Sequence, residues 1–102
     1  MPITGDKYDF TEKNVNASPE KHGVYALFDG DELTYYGRAV GDGVTIRSRL
    51  QAHRGGYEGK CTQKATSYMR EITEAARTRE VELLEEYKRR YGKLPRCNER
   101  LG

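Results

Sequence analysis

Glu80, Arg49 and His53 have types and spacing that a plain structural domain does not need. On a helical wheel at about 100° per residue, Ala76, Leu83, Leu84, Tyr87 and Tyr91 share one side, and Glu80 falls in the middle of that apolar stripe. A carboxylate there is costly unless it is paired with a buried partner such as an arginine, protonated or bound to a metal. Glu82, Glu85 and Glu86 point away, and Glu85 with Arg89 and Glu86 with Arg90 read as i,i+4 pairs on an exposed face. Arg49 and His53 stand one turn apart on the flank of Ile46 and Leu50 and face the fold, whereas Arg47, Gln51 and Arg54 face outward. A lone inward histidine is ordinarily a hydrogen-bonded core residue. A guanidinium and an imidazole together suit a phosphate. Tyr25 and either Tyr35 or Tyr36 would stand side by side across a hairpin, which aromatic cross-strand packing alone also explains.

These side chains need elements to hold them. Residues 22–29 alternate Val24, Ala26 and Phe28 with Tyr25 and Leu27, the period of a buried strand. Asp29-Gly30-Asp31-Glu32 reads as a turn into a second strand from Leu33 that ends at Gly37, a hairpin signal. Residues 45–54 carry Ile46, Leu50 and His53 at helical spacing, 55–64 are polar and glycine-rich and read as a mobile loop, and 66–72 read as a third strand. From Thr73 to Tyr91 there is no Gly or Pro, and Gly92 and Pro95 stop a second helix. The order β-β-α-β-α predicts an α+β domain over residues 22–102, a small three-stranded antiparallel sheet with helices packed on it, after a polar N-terminal lead over residues 1–21.

A chain of 102 residues, 35% hydrophobic and 33% charged, has room for one core and not for a linked pair of binding and catalytic domains. No run approaches the ~18–20 apolar residues of a membrane span, and the first ten residues lack an apolar signal core, so the expectation is a cytoplasmic protein with no membrane partner. Cys61 and Cys97 form neither a zinc pattern nor a disulfide framework and read as reduced thiols, in keeping with that compartment. The net charge of +2 hides a split: residues 1–37 hold three basic against seven acidic side chains, and residues 38–70 hold seven against two. A basic middle in an otherwise acidic chain is the pattern of a face that meets polyanions, although chance clustering on a solvated surface would look the same.

The whole set resembles the GIY-YIG endonuclease superfamily. Gly23-Val24-Tyr25 is similar to the first signature tripeptide, and Tyr35-Tyr36-Gly37 to the second, separated by the nine residues Ala26 to Thr34. Arg49 and His53 in RLQAH are similar to the Arg and His of the family's first helix. Glu80-Val81-Glu82-Leu83-Leu84 resembles the Glu-x-x-Leu-Ile pattern of the metal-binding glutamate, and Pro95-Arg96-Cys97-Asn98 resembles the closing Pro-x-Tyr-Asn. Tyr36 replaces the usual aliphatic centre of the second tripeptide, and Cys97 the common aromatic. The interval from Glu80 to Asn98 is longer than in many members, which leaves Glu82 as the alternative ligand, while the wheel argues for Glu80.

The resemblance implies metal-dependent hydrolysis of phosphodiester bonds in nucleic acid, most often DNA. Glu80 would hold a single Mg²⁺ or Mn²⁺, and Arg49 would grip the scissile phosphate. Tyr25, helped by Tyr35 and His53, would accept a proton from water, with Arg49 and the metal lowering a phenol pKa that is ordinarily near 10. Asn98 would orient the site by packing the tail back on the sheet, and Gly37 would admit a close approach or end a strand. Arg38, Arg47, Arg54, Lys60 and Lys64 would line the approach for the nucleic-acid backbone. Such contacts position a strand without reading it, so specificity would be low unless a homodimer or a partner protein adds it. Two other readings compete: a catalytically inactive nucleic-acid-binding module of the same fold, and a structural domain in which Glu80 simply pairs with Arg49.

Overall fold

The alternation in residues 23–29 makes both faces of one strand apolar, so that strand has to be covered twice. The structure, a computed structural model, describes residues 1–98 and meets this demand with a four-stranded antiparallel sheet. Its strands are β1 (Tyr8–Asp9), β2 (Gly23–Asp29), β3 (Glu32–Ala39) and β4 (Ser67–Ile72), in the order β1-β4-β2-β3. The helices are α1 (Glu12–Asn16), α2 (Ile46–Arg54), α3 (Lys60–Gln63) and α4 (Ala76–Tyr91). Tyr25 and Leu27 of β2 face Phe10, Val15, Ile46, Leu50 and Tyr68 on one side. Val24 and Ala26, with Tyr36 of β3, face Ile3, Ala76, Leu83 and Leu84 on the other. The fold is therefore α+β, with α2 on one face of the sheet and α4 on the opposite face. Among the described residues, no helix is long and apolar enough to cross a membrane.

Local signals set the helix ends. Thr45 and Ser48 cap α2 reciprocally, each hydroxyl accepting from the other residue's backbone N–H at 3.0 and 2.9 Å. Gly92, at φ +75°, ends α4 in the left-handed conformation.

Several expectations need correction. The sheet has four strands rather than three: β1 pairs Tyr8 with Tyr68 and Asp9 with Ser67 along the outer edge of β4, too short a contact to leave an alternating pattern. The segment read as a polar lead thus supplies a strand, a helix and the buried residues Ile3, Phe10, Val15 and Ser18. The second strand of the hairpin runs through Gly37 to Ala39, and the stretch read as a loop contains α3. Tyr91 does not join the buried stripe of α4 and is 57% exposed. In place of the expected pair with Arg90, Glu86 meets the Met1 amine at 2.8 Å, and Glu82 pairs with Arg79 one turn before it. Cys61 and Cys97 are joined in a disulfide, with 5.8 Å between their Cα atoms, because the tail returns along β3 to meet α3. Closing a loop of 36 residues restrains the unfolded chain by about 3–4 kcal/mol.

His22 ties three connections together. Its Nδ1 lies 2.9 Å from Glu74 Oε1, and its Nε2 donates to the Gly41 carbonyl at 3.1 Å. The hydrogen bond to Glu74, seconded by the one to Gly41, raises its pKa above the ordinary 6.5. Its stabilising contribution is therefore complete below the unfolded value and is lost as pH rises through the folded one. An NMR titration should find His22 above 6.5, and Glu74→Gln should bring it back toward that value; an unchanged midpoint in the variant would remove Glu74 as the cause.

Candidate active site

β3 is an edge strand, and an uncovered edge is open to unwanted pairing. The C-terminal tail covers part of it: the Cys97 N–H donates to the Thr34 carbonyl at 2.7 Å. Asn98 follows, buried, with Oδ1 accepting from the Tyr36 N–H and Nδ2 donating to the Tyr36 carbonyl, both at 2.9 Å. Beside this clamp lies a cavity of about 800 Å³, lined by Tyr35, Arg38, Arg49, Lys60, Arg77 and Glu80, with Asn98 and Glu58 in its walls. Tyr35, Arg49, Glu80 and Asn98, expected from four separated stretches of sequence, thus meet in one cavity.

Tyr25 and His53 stand behind it, in the core. The Tyr25 hydroxyl is 2.8 Å from His53 Nε2, and His53 Nδ1 is 2.8 Å from the Thr62 hydroxyl of α3. The Tyr35 ring completes the cluster, its centroid 5.0 Å from that of His53 and 6.1 Å from that of Tyr25. Burial, with help from the Arg49 cation, pushes the His53 pKa down to about 4, so the imidazole is neutral at neutral pH. A neutral ring has one donor and one acceptor nitrogen, so hydrogen bonds run through Tyr25, His53 and Thr62 in a single sense, one way or the other.

Burial also raises the Tyr25 pKa, and the nearby Arg49 does not offset it. Tyr25 has no exposed surface, so the direct contact with water expected of it is absent from this arrangement, and Tyr35 is the tyrosine that lines the cavity. Burial raises the Tyr35 pKa as well, although Arg49 again opposes it. Tyr36, the alternative neighbour across the hairpin, packs on the α4 face of the sheet.

Gly37 lies opposite Tyr25 in the register, and a Cβ there would fall inside the van der Waals envelope of the Tyr25 ring and hydroxyl. Gly37→Ala should therefore cost about 1–3 kcal/mol in urea unfolding by forcing the ring off its seat. It should also disturb the His53 resonances by NMR. Wild-type stability with unchanged His53 shifts would refute that account.

Four charged residues of the cavity wall form two ion pairs. Arg38 Nη1 donates to Glu80 Oε1 at 2.8 Å, and the Glu80 side chain is only 13% exposed. Glu80 therefore pairs with Arg38, not with Arg49. Arg49 instead meets Glu58 at two points, Nη1 to Oε2 and Nη2 to Oε1, both 3.3 Å, and this contact lowers the Glu58 pKa. Glu82 lies on the outer side of α4 with Arg79, so Glu80 is the carboxylate of that motif in the cavity.

Of the five cations expected along the approach, Arg38 and Lys60 line the cavity. Arg47 is occupied elsewhere, donating to the Ser18 carbonyl at 2.7 Å and meeting Glu20 at 3.2 Å. Arg54 and Lys64 are exposed and outside the cavity wall. Glu58, Thr62 and Arg77 belong to the site without having been foreseen. Only Glu58 had a signal, as one of two acids in the basic middle.

Among the described residues, no three His, Cys, Asp or Glu side chains cluster closely enough to cage an ion. Mg²⁺ is commonly held by one or two carboxylates, with water and substrate phosphate supplying the rest. Glu80 fits that mode, since among the described residues Arg38 engages only Oε1 and leaves Oε2 to a cation. The chain matches no family model and no curated protein.

Proposed function

We propose that this cavity is the active site of a metal-dependent endonuclease of the GIY-YIG type, acting on nucleic acid, with DNA the favoured substrate, and with low intrinsic sequence specificity. What carries this is the meeting of Tyr35, Arg49, Glu80 and Asn98 in one cavity, with Tyr25 and His53 directly behind. In this reading Arg49 takes a phosphate oxygen pair in place of the Glu58 carboxylate, and Arg38 and Lys60 hold the flanking backbone. Glu80 Oε2 would hold a Mg²⁺ or Mn²⁺ ion, which supplies Lewis-acid stabilisation of the charge that develops in phosphodiester cleavage. Because Tyr25 has no exposed surface, it would accept a proton from water only once substrate binding lets water past Tyr35, and its own proton would then pass to His53 Nε2, with the hydrogen bonds running from Tyr25 through His53 to Thr62. A phosphate seated at Arg49 would offset the cation that helps hold the His53 pKa down, making the ring a better acceptor when substrate is bound. Asn98 keeps β3 and Tyr35 in position through its clamp on Tyr36.

The test is a cleavage time course on labelled single-stranded, duplex and branched DNA and on RNA, with Mg²⁺, Mn²⁺ or EDTA, comparing wild type with Glu80→Ala. Metal-dependent cutting that disappears in the variant is expected. Absence of cutting in wild type under every condition would reject the enzyme. Two observations favour a binding module as the second reading: Glu80 is charge-matched by Arg38, and Tyr25 is held protonated away from solvent. Binding of these substrates without cleavage would select it.

A further inference from the structure

The two-point contact of Glu58 on Arg49 uses the geometry by which a guanidinium takes a phosphate, so the carboxylate and a substrate phosphate compete for one edge of one side chain. A partly exposed ion pair of this kind is weak alone and would yield to a phosphate. Glu58, however, is not free to leave. It lies between Gly56 and Gly59, whose φ angles of +84° and +103° mark where the backbone turns, and α3 begins immediately after. α3 is fastened twice: Thr62 bonds to His53, and Cys61 is bridged to Cys97, next to the Asn98 clamp on β3. Arg49, Glu58, Cys61 and Cys97 all line the same cavity, so the bridge joins the wall that carries Glu58 to the wall formed by the tail. A tether raises the effective concentration of Glu58 at Arg49 without adding a contact.

Resting on the nuclease reading of the cavity, we propose that the Cys61–Cys97 disulfide is a redox latch on nucleic-acid entry. With the bridge closed, Glu58 occupies the phosphate's place on Arg49. Reduction by a dithiol releases the segment between α2 and α3 and opens the cavity. Cys61 is exposed and Cys97 half-buried, so the reductant's thiolate attacks Cys61 Sγ and Cys97 leaves as a thiolate. The second thiol of the reductant then displaces Cys61 from the mixed disulfide, leaving two cysteine thiols and one oxidised dithiol. Because α3 also carries Thr62, opening the latch alters the hydrogen bonds through His53 to Tyr25.

The experiment measures binding of fluorescent single-stranded and duplex oligonucleotides in EDTA, so that no cleavage intervenes. The bridged protein is compared with dithiothreitol-reduced protein, with Cys61→Ser/Cys97→Ser and with bridged Glu58→Gln, each checked for folding by circular dichroism. Affinity should rise about fivefold or more on reduction and in the double variant, and Glu58→Gln should give the gain with the bridge closed. If reduction unfolds the chain, the folded double variant stands in for the open latch, and unfolding of both would overturn the latch and make the bridge a structural staple. Equal affinity in all folded forms, weaker binding on reduction, or no gain in Glu58→Gln would overturn the latch. A metal-containing parallel separates this from the nuclease reading: tighter binding on reduction with no cutting keeps the latch and rejects the enzyme, while equal cutting in both redox forms with equal affinity does the reverse.

Discussion

Glu80→Gln is expected to leave the protein folded, to cost about 1–2 kcal/mol of stability and, on the proposed nuclease reading, to reduce metal-dependent cleavage by about 10²- to 10³-fold. The two effects have different origins. Glu80 is mostly covered and its Oε1 takes a hydrogen bond from Arg38 at 2.8 Å, while Arg38 itself is 34% exposed. Exposed pairs are worth about 0.2–1 kcal/mol, and breaking a fully buried one costs about 3–5, so a pair with one covered and one partly solvated member falls between. Glutamine can still accept from Arg38 through its carbonyl oxygen, but it cannot offer an anionic oxygen to a divalent cation.

Arg38→Ala tests the pair from the other side. It should destabilise by a comparable amount, and a double-mutant cycle with Glu80→Gln should return a coupling of about 1 kcal/mol. If Arg38 restrains Glu80 in the free protein, Arg38→Ala should tighten Mn²⁺ binding measured by paramagnetic broadening. Undiminished metal-dependent cleavage in Glu80→Gln would sink the ligand assignment. A coupling of several kcal/mol with cleavage unchanged would recast the pair as structural.

How far the sequence spoke depended on how local each signal was. Val24 to Leu27 and the Asp29-Gly30 turn describe a hairpin within one window, and the structure has it. The apolar stripe of α4 and the inward side of α2 are also local, and Ala76, Leu83, Ile46, Leu50 and His53 are buried as the wheel implies. β1 was not legible, because a two-residue strand exists only by virtue of the Tyr68 and Ser67 edge it lies on. The Cys61–Cys97 bridge depends on where the tail is pinned by Asn98, a contact between residues 62 positions apart that no spacing rule contains. With that bridge the expectation of reduced thiols fails, and the support they lent to a cytoplasmic compartment goes with it.

The partners of the charged residues were equally hidden. A wheel can say that Glu80 faces inward, but only the register of β3 puts Arg38 rather than Arg49 opposite it. Helical position likewise brings His53 toward the sheet without revealing that Thr62 waits on its far nitrogen. The sequence suggests a Tyr25 reached by water, but its burial follows from the demand that both faces of β2 be covered. The same packing that makes the strand legible therefore removes the phenol from solvent and leaves Tyr35 at the cavity wall.

His53 gives the second large effect, and it is read in stability rather than turnover. Its folded pKa of about 4 lies below the ordinary 6.5 because the ring is buried and sits near Arg49. Between those values the unfolded chain binds more protons than the folded one, so stability rises with pH across the window and is lost as pH falls from about 6.5 to 4. A separation of about 2.5 pKa units corresponds to about 3 kcal/mol at the bottom of the window.

Other groups overlap the window and have to be separated: Glu86, whose pKa is lowered by its contact with the Met1 amine, loses stability on acidification at the carboxylate end. Glu58, with its depressed pKa, also loses stability on acidification, at the lower, carboxylate end. His22, with its raised pKa, works in the opposite sense, its stabilisation fading as pH rises. Urea unfolding at about pH 7 and about pH 4.5 should therefore be run on wild type, Glu58→Gln and His53→Gln, the last keeping a donor and an acceptor between Tyr25 and Thr62. Wild type and Glu58→Gln should both lose most of the expected stability by pH 4.5, whereas His53→Gln should start lower and fall much less. Parallel losses in wild type and His53→Gln would mean that the imidazole titrates near its ordinary value, and that the hydrogen bonds joining it to Tyr25 and Thr62 do not hold it neutral.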